Sequence, residues 1–133
     1  MIIAVLVGLG MIVMPAASPA TIDSNHRRPA AEPPYIHTSA FNKRFIYGAA
    51  HQEWSGRHHL FVWLYQWYGG GWHNVAQNDV EGDASNLRAI SYVYCGEPYK
   101  KYWFYTYSSS WTLTPYGWQY DGSDASRAVE LGC

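Results

Sequence analysis

Histidine and glutamate side chains cluster in the first half of the chain, and their types suit a zinc site. The cluster contains His51, Glu53, His58, His59 and His73. Zinc deaminases combine an H-x-E motif with a P-C-x-x-C segment, and zinc proteases carry an H-E-x-x-H helix motif. The chain has neither the P-C-x-x-C segment nor the H-E-x-x-H motif. We therefore interpret these residues as surface histidines beside aromatic side chains and expect no cofactor, with metal binding as the weaker alternative.

Three acidic residues, Asp79, Glu81 and Asp83, alternate with small or apolar ones. In an extended strand all three carboxylates would face one way, which makes them candidates for a weak calcium site or a contact with a basic partner. An EF-hand loop that starts at Asp79 needs a glutamate at its twelfth position, where Ile90 stands instead. A solvated strand end followed by a turn is the interpretation that we prefer.

Motifs for nucleophilic catalysis are missing from the chain. It lacks G-x-S-x-G, and its two cysteines, Cys95 and Cys133, are better explained as a disulfide. A carboxylate pair for glycoside hydrolysis depends on a separation in space that the sequence does not show. We predict that the protein is not an enzyme.

Aromatic residues are the strongest functional signal, because the 133 residues include 7 Trp, 12 Tyr and 4 Phe. Rings alternate with aliphatic residues from 60 to 67, and residues 102–107 have a similar pattern. Since alternate strand residues face opposite sides, one face of each strand packs in the core while the other still carries large rings. Those rings are either covered by residues 35–56 or exposed as a binding patch. The predicted partner- or glycan-binding residues are Trp63, Tyr65, Trp67, Trp72, Trp103, Tyr105 and Tyr107.

The segments that carry these rings are predicted to be strands. No stretch has the 3.6-residue apolar period of a helix, and residues 69–71, 108–110 and 115–117 are typical of turns. We predict one all-β domain, an antiparallel sandwich or small barrel of about six to eight strands. A formal net charge of −1, without a clustered basic face, argues against nucleic acid as a partner.

Two stretches of this domain resemble each other and indicate two similar halves. Residues 65–67, three glycines and Trp72 correspond to residues 105–107, three serines and Trp111. Asp-Ala-Ser and Arg-Ala then recur before each of the two cysteines. Each half would be a hairpin and a returning strand that ends in a cysteine.

The first 38 residues predict export followed by a linker. Residues 1–14 are apolar and uncharged, and Ser18 and Ala20 fit the −3 and −1 positions of a signal-peptide cleavage site, although a basic start is missing. The apolar run is shorter than the ~20 residues of a membrane span, so we expect secretion without stable membrane insertion after cleavage. Residues 21–38 contain three prolines and are predicted to be a flexible tail, which leaves residues 39–133 for the domain. The candidate partner anchors in this tail are Arg27, Arg28, Tyr35 and Ile36.

The cysteines support the same compartment. An even number of cysteines in an exported chain implies pairing, and Cys95 and Cys133 allow one intramolecular bridge. The chain-entropy model gives a bridge of this span roughly 4 kcal/mol. We therefore predict a disulfide that fixes the last residue to the domain.

These features together resemble small secreted two-cysteine β-domain proteins of filamentous bacteria. The resemblance covers residues 20–133: a Pro-rich segment with Arg27 and Arg28, Tyr- and Trp-rich strands, and a cysteine at position 133. One group with this outline is the adaptor subunit of secreted umbrella-shaped toxin particles. That resemblance implies a protein that joins a lectin-bearing component to a repeat-bearing one, with Arg27 and Arg28 seated in a partner's cleft.

We predict a secreted, non-catalytic protein-binding or adaptor domain, a component of a secreted toxin assembly, whose partner is another secreted protein. The first alternative is a carbohydrate-binding module that stacks its Trp and Tyr rings on a glycan. The second alternative is a secreted protease inhibitor or antibacterial toxin.

Overall fold

The computed structural model describes residues 27–83, 86–96 and 100–132. These residues form nine β-strands and no helix, which confirms the predicted all-β class; it follows that they include no helix able to cross a membrane. The strands are β1 (Ala30–Ala31), β2 (Tyr35–Thr38), β3 (Arg44–Gln52), β4 (Arg57–Tyr68), β5 (Gly71–Asp83), β6 (Leu87–Tyr94), β7 (Lys101–Thr114), β8 (Gly117–Ala125) and β9 (Val129–Gly132).

The strands form two antiparallel sheets that pack face to face as a sandwich, as expected. In the four-stranded sheet β3 is central, with β6 on one edge and β1 and β2 in succession along the other. In the five-stranded sheet the order is β5-β4-β7-β8, and β9 pairs with the first residues of β7, beyond the end of β8. The central pair β4–β7 therefore carries the middle of the larger sheet.

The core consists of side chains that alternate onto the inner faces of the two sheets. Leu60, Val62 and Leu64 of β4 are fully buried, while the aromatic residues between them face outward, which confirms the alternation predicted for this strand. They meet the four-stranded sheet in two clusters. One contains Ala50, Leu60, Val62 and Ala89, and the other contains Ile46, Leu64 and Phe104.

Residues 27–38 pack on the β-domain, so the expectation of a flexible tail does not hold over this stretch. β1 and β2 follow one another along the same edge of β3, with Ala30 opposite His51 and Thr38 opposite Arg44. Two of the prolines stand in the gap between β1 and β2, where a missing N–H breaks no ladder hydrogen bond. The predicted boundary at residue 38 thus falls inside a β2–β3 hairpin. The predicted signal peptide and residues 21–26 lie outside the described residues.

The turn predicted at residues 108–110 is also wrong, because these three serines lie in the middle of β7. Ser108 Oγ donates to the carbonyl oxygen of Phe61 at 2.8 Å, and Ser110 Oγ donates to Asp121 Oδ2 at 2.8 Å. Both hydroxyls are buried and hydrogen-bonded, so serine is stable there despite its preference for turns. The chain turns instead at Pro115 and Tyr116.

The two predicted halves agree with the structure in their hairpins and differ in their third strands. The hairpins β4–β5 and β7–β8 stand side by side, with Tyr65 directly opposite Tyr105, the two residues that the sequence correspondence equates. β6, however, joins the four-stranded sheet, whereas β9 pairs with β7. The similarity between the halves therefore extends only to the hairpins.

Candidate binding surface

The outer face of the five-stranded sheet carries rings from four neighbouring strands, and we call it the aromatic face. Residues directly opposite each other in antiparallel strands point to the same side, so the pairing of β5, β4, β7 and β8 brings these rings together. The rings belong to His59, Phe61, Trp63, Tyr65 and Trp67 of β4, Trp72 of β5, Tyr105, Tyr107 and Trp111 of β7, and Trp118 and Tyr120 of β8.

These rings contact one another, which makes the surface rigid. Tyr65 and Tyr105 are stacked, with centroids 4.9 Å apart and planes at 7°, and Trp72 meets Tyr105 edge-on at 4.7 Å. Trp63 lies 5.7 Å from Tyr107. Stacked and edge-to-face pairs are the favourable arrangements of aromatic rings. The rings are thus ordered before any ligand arrives.

No described segment lies over the aromatic face. Of residues 35–56, which were the candidate cover, residues 35–38 and 44–52 form β2 and β3 of the opposite sheet, whose inner face packs on the core. Most of the rings are half-buried by their neighbours; Tyr105 is 4% exposed, whereas Trp118 and Tyr120 are 42% and 50% exposed. Among the described residues, the open alternative is the one observed.

The aromatic face contains six of the seven predicted binding residues and several that the sequence did not identify. Trp103 has the same orientation on β7 but lies opposite Glu130 of β9, at the margin. Trp111 is not among the predicted residues, because the turn expected at residues 108–110 separated it from the rings of residues 102–107. Trp118 and Tyr120 alternate after the true turn, and that pattern was hidden by the short, polar sequence around them.

The three predicted acidic residues line the β5 edge of the aromatic face. Asp79 Oδ2 lies 2.7 Å from His59 Nε2, and Arg57 contacts Glu81 at 2.9 Å and Asp83 at 3.3 Å. The hydrogen bond to Glu81 is the main reason that the pKa of Arg57 is raised. Within the described ranges, no three His, Cys, Asp or Glu side chains are placed to hold a metal ion.

Next to these acids the aromatic face has an open depression of about 250 Å³, which we call the aromatic depression. It is lined by His59, Phe61, Trp111 and Trp118. Phe61 and Trp111 meet at 77° with centroids 5.4 Å apart, and His59 and Trp118 meet at 57° and 6.0 Å. The inclined rings form walls instead of a flat platform.

A second aromatic patch covers part of the outer face of the four-stranded sheet. Its rings form two rows across β2, β3 and β6, with Tyr92 and Tyr94 exposed at 56% and 60%. The rows are Tyr35, Tyr47 and Tyr92, and His37, Phe45 and Tyr94. The sequence did not identify this patch, because β2 and β3 are close in the chain whereas β6 follows only after β4 and β5.

The predicted tail anchors contact the domain itself. Ile36 packs on the Ile46 core cluster, and the Tyr35 ring lies 5.6 Å from that of Tyr47. The carbonyl oxygen of Arg27 accepts a hydrogen bond from the Gln52 side chain at 2.7 Å, and the Arg28 side chain passes over Gly122. Tyr35 and Ile36 are therefore part of the folded domain and not of a free tail.

An ion pair links β6 to the segment between β1 and β2 across the outer side of the four-stranded sheet. Arg88 donates to both carboxylate oxygens of Glu32, at 3.0 and 3.2 Å, and to the Tyr35 hydroxyl at 3.2 Å. The hydrogen bond from Arg88 lowers the pKa of Glu32 below its usual value, against the opposing effect of partial burial, and His51 adds to the lowering. The same bond raises the pKa of Arg88.

One histidine is not at the surface, contrary to expectation. His58 is completely buried, with Nδ1 3.1 Å from Thr112 Oγ1, and Thr112 Oγ1 donates to Asp121 Oδ1 at 2.7 Å. Ser110 also donates to Asp121, and Gln52 donates to Ser110 at 2.8 Å. This buried polar network lies between the sheets, where its members satisfy one another's hydrogen bonds.

Burial also affects two tyrosines of the aromatic face. Desolvation raises the pKa of Tyr105 well above its usual value, and that of Tyr65 is raised for the same reason, with smaller contributions from neighbouring tyrosines. Both hydroxyls therefore stay protonated at neutral pH and can act as hydrogen-bond donors.

Comparison with protein-family models, with curated proteins and with solved structures finds no match to the chain.

Proposed function

We propose that this protein is a non-catalytic binding domain that recognises another secreted protein through its aromatic face. The observation that carries the proposal is the continuous array of Trp and Tyr rings across four strands, uncovered by any described segment. Trp and Tyr dominate the residues that supply most of the energy at protein interfaces. Their mutual packing also lowers the entropy that binding costs.

The opposite aromatic patch supports an adaptor role. It lies on the outer side of the other sheet, so a partner bound there would not collide with one bound to the aromatic face. The two surfaces also differ in their borders: the aromatic face is bordered by Asp79, Glu81 and Asp83, whereas beside the second patch Arg88 is paired with Glu32. Two chemically distinct surfaces on opposite sides suit a domain that joins two partners, as in the toxin-particle adaptors that the sequence resembles.

We also propose that the protein is exported and carries the Cys95–Cys133 bridge. Cys95 and Leu131 pack on the same core cluster and line one cavity of about 210 Å³ at the end of the sandwich. Because Leu131 stands two residues before Cys133, the chain returns close to Cys95. Mass measurement of the secreted protein, intact and after reduction, tests both points.

The protein-binding proposal is tested by capturing partners from the native culture supernatant on the immobilised protein. Trp63→Ala, in the middle of the aromatic face, should weaken retention of the main partner at least about tenfold. Tyr116→Ala, in the exposed β7–β8 turn, is the matched control and should retain it. Circular dichroism must show that both variants are folded. Equal retention by the two variants would refute the aromatic face as the protein-binding surface.

A carbohydrate ligand is the second candidate, and one observation favours it. Asn74 and Gln77 lie beside Tyr65 and Trp63 in the ladder, so amide groups border the rings as they do where sugar hydroxyls are bound. Polysaccharide pull-down should then fail for Trp63→Ala and persist for Tyr92→Ala on the other sheet. Polysaccharide binding that persists in Trp63→Ala would exclude this face as a glycan site.

A further inference from the structure

The aromatic depression lies across β4, β7 and β8, near the β7–β8 turn, and its lining is suited to one class of ligand. Its four lining residues come from three strands: His59 and Phe61 from β4, Trp111 from β7 and Trp118 from β8. Ring faces carry a negative potential and attract cations, with tryptophan the strongest. Two of the four rings here belong to tryptophan.

The border of the depression is acidic. Glu81 lies directly opposite His59, and Asp79 lies directly opposite Phe61, so both carboxylates are next to the lining rings. Asp83 follows, and Arg57 is the arginine that pairs with this group. Counting Asp79, Glu81 and Asp83 against Arg57 leaves an excess of negative charge beside the rings. A cation in the depression is therefore favoured by the rings and by the border together.

The lining offers almost no hydrogen-bond acceptors. Phe61 has none, the indoles of Trp111 and Trp118 only donate, and His59 Nε2 already pairs with Asp79. A lysine ammonium or an arginine guanidinium has to direct its N–H groups to the carboxylates of the border instead of the rings, and the O–H groups of a sugar find few acceptors among the rings. A quaternary ammonium group carries a positive charge and no N–H donor, so its methyl groups can contact the ring faces without leaving a hydrogen bond unmade.

We propose that the aromatic depression is a binding site for a small quaternary ammonium ligand of the choline type. The proposal rests on the proposed function in that it takes the outer face of the five-stranded sheet as the binding surface. It adds a ligand class and places the ligand at the Trp118 end, away from Trp67 and Trp72.

The test uses the indole N–H signals of the seven tryptophans in the NMR spectrum of the ¹⁵N-labelled protein. Titration with choline chloride should shift the signals of Trp111 and Trp118 in a saturable manner. Sodium chloride at the same ionic strength should not shift them. The neutral isostere 3,3-dimethylbutan-1-ol should bind at least about fivefold more weakly, because it lacks the charge that the rings attract.

Two variants and one control locate the site. Trp118→Ala should abolish the choline shifts at Trp111, and Trp118→Phe should keep much of the binding. Asp79→Asn, a change on the surface, should weaken binding without altering the fold. Trp72→Ala, at the other end of the aromatic face, should leave choline binding unchanged.

Several results would overturn the proposal. Equal binding of the neutral isostere would show a merely apolar depression. Stronger shifts from a methyl glucoside would show a sugar site. Shifts of all seven indoles without saturation would show unspecific effects. If choline fails to bind while Trp63→Ala still weakens partner capture, the protein-binding function stands and the choline site is refuted. If choline binds while partner capture does not respond to Trp63→Ala, the choline site stands and the protein-binding function of this face is refuted.

Discussion

The carboxylate of Asp121 is the acceptor on which the buried polar network depends, so its removal is the most informative test of the fold. Asp121 is 6% exposed and accepts hydrogen bonds from Ser110 and Thr112, which are themselves buried. The substitution Asp121→Ala leaves both hydroxyls without their acceptor. It also removes the carboxylate 3.8 Å from His58 Nδ1.

The expected loss of stability follows from these contacts. Each buried polar group that loses its partner costs about 1–3 kcal/mol, so the two hydroxyls together cost about 2–6 kcal/mol. We expect a fall of about 4 kcal/mol in the free energy of unfolding, against a total of about 5–15 kcal/mol for a domain of ordinary stability.

Urea unfolding followed by tryptophan fluorescence measures this loss. Asp124→Ala is the matched control on the same strand, because Asp124 accepts one hydrogen bond, from the half-buried Ala31 N–H at 2.8 Å, and should cost about 1 kcal/mol. A loss for Asp121→Ala no larger than that for Asp124→Ala, with an unchanged urea dependence, would refute the central role of the network.

Four further predictions concern other parts of the molecule. Glu32→Gln should lower the free energy of unfolding by about 1 kcal/mol at pH 7. Because folding lowers the pKa of Glu32, this carboxylate stabilises the protein above the usual pKa of 4.5, and the stabilisation is lost as the pH falls below that value. The urea unfolding curves of the variant and the wild type should therefore converge in acid. In wild type the free energy of unfolding should fall above about pH 10, because the raised pKa of Tyr105 makes the folded state keep a proton that the unfolded state releases. In Tyr105→Phe this fall should be less steep, and an equally steep fall at pH 11 would contradict the prediction. Gly48→Ala should cost about 1–3 kcal/mol in urea unfolding, because the new methyl group would lie 3.0–3.1 Å from two buried side chains. Cys95→Ser should lower the unfolding free energy by roughly 4 kcal/mol, and the native protein should not react with a maleimide unless it is reduced; a reactive thiol in the native protein would exclude the proposed bridge to Cys133.

The sequence predicts correctly which residues of a single strand face the core and which face outward, because these sides alternate along the strand. Leu60 to Trp67 alternates over eight residues, so the inner and outer faces of β4 followed directly from the pattern. It did not identify what depends on pairing between distant strands. The second aromatic patch joins Tyr35, Tyr47 and Tyr92, and no local pattern links them. The prolines of residues 29–34 argue against a helix or a central strand, but they are compatible with the interrupted edge strands β1 and β2.

The serines of β7 support the proposal that the outer rings serve binding. On this strand the inner face carries Thr106, Ser108 and Ser110, while the large rings of Tyr107 and Trp111 face outward and are only half-buried. Full burial of a large apolar side chain contributes about 1.5–3 kcal/mol, whereas a cross-strand pair on a surface contributes about 0.2–1 kcal/mol. A strand selected for stability alone would place its rings inside and its hydroxyls outside. The reversed arrangement gives up core stability, and it leaves a rigid aromatic surface in contact with solvent, which is what a partner or ligand can use.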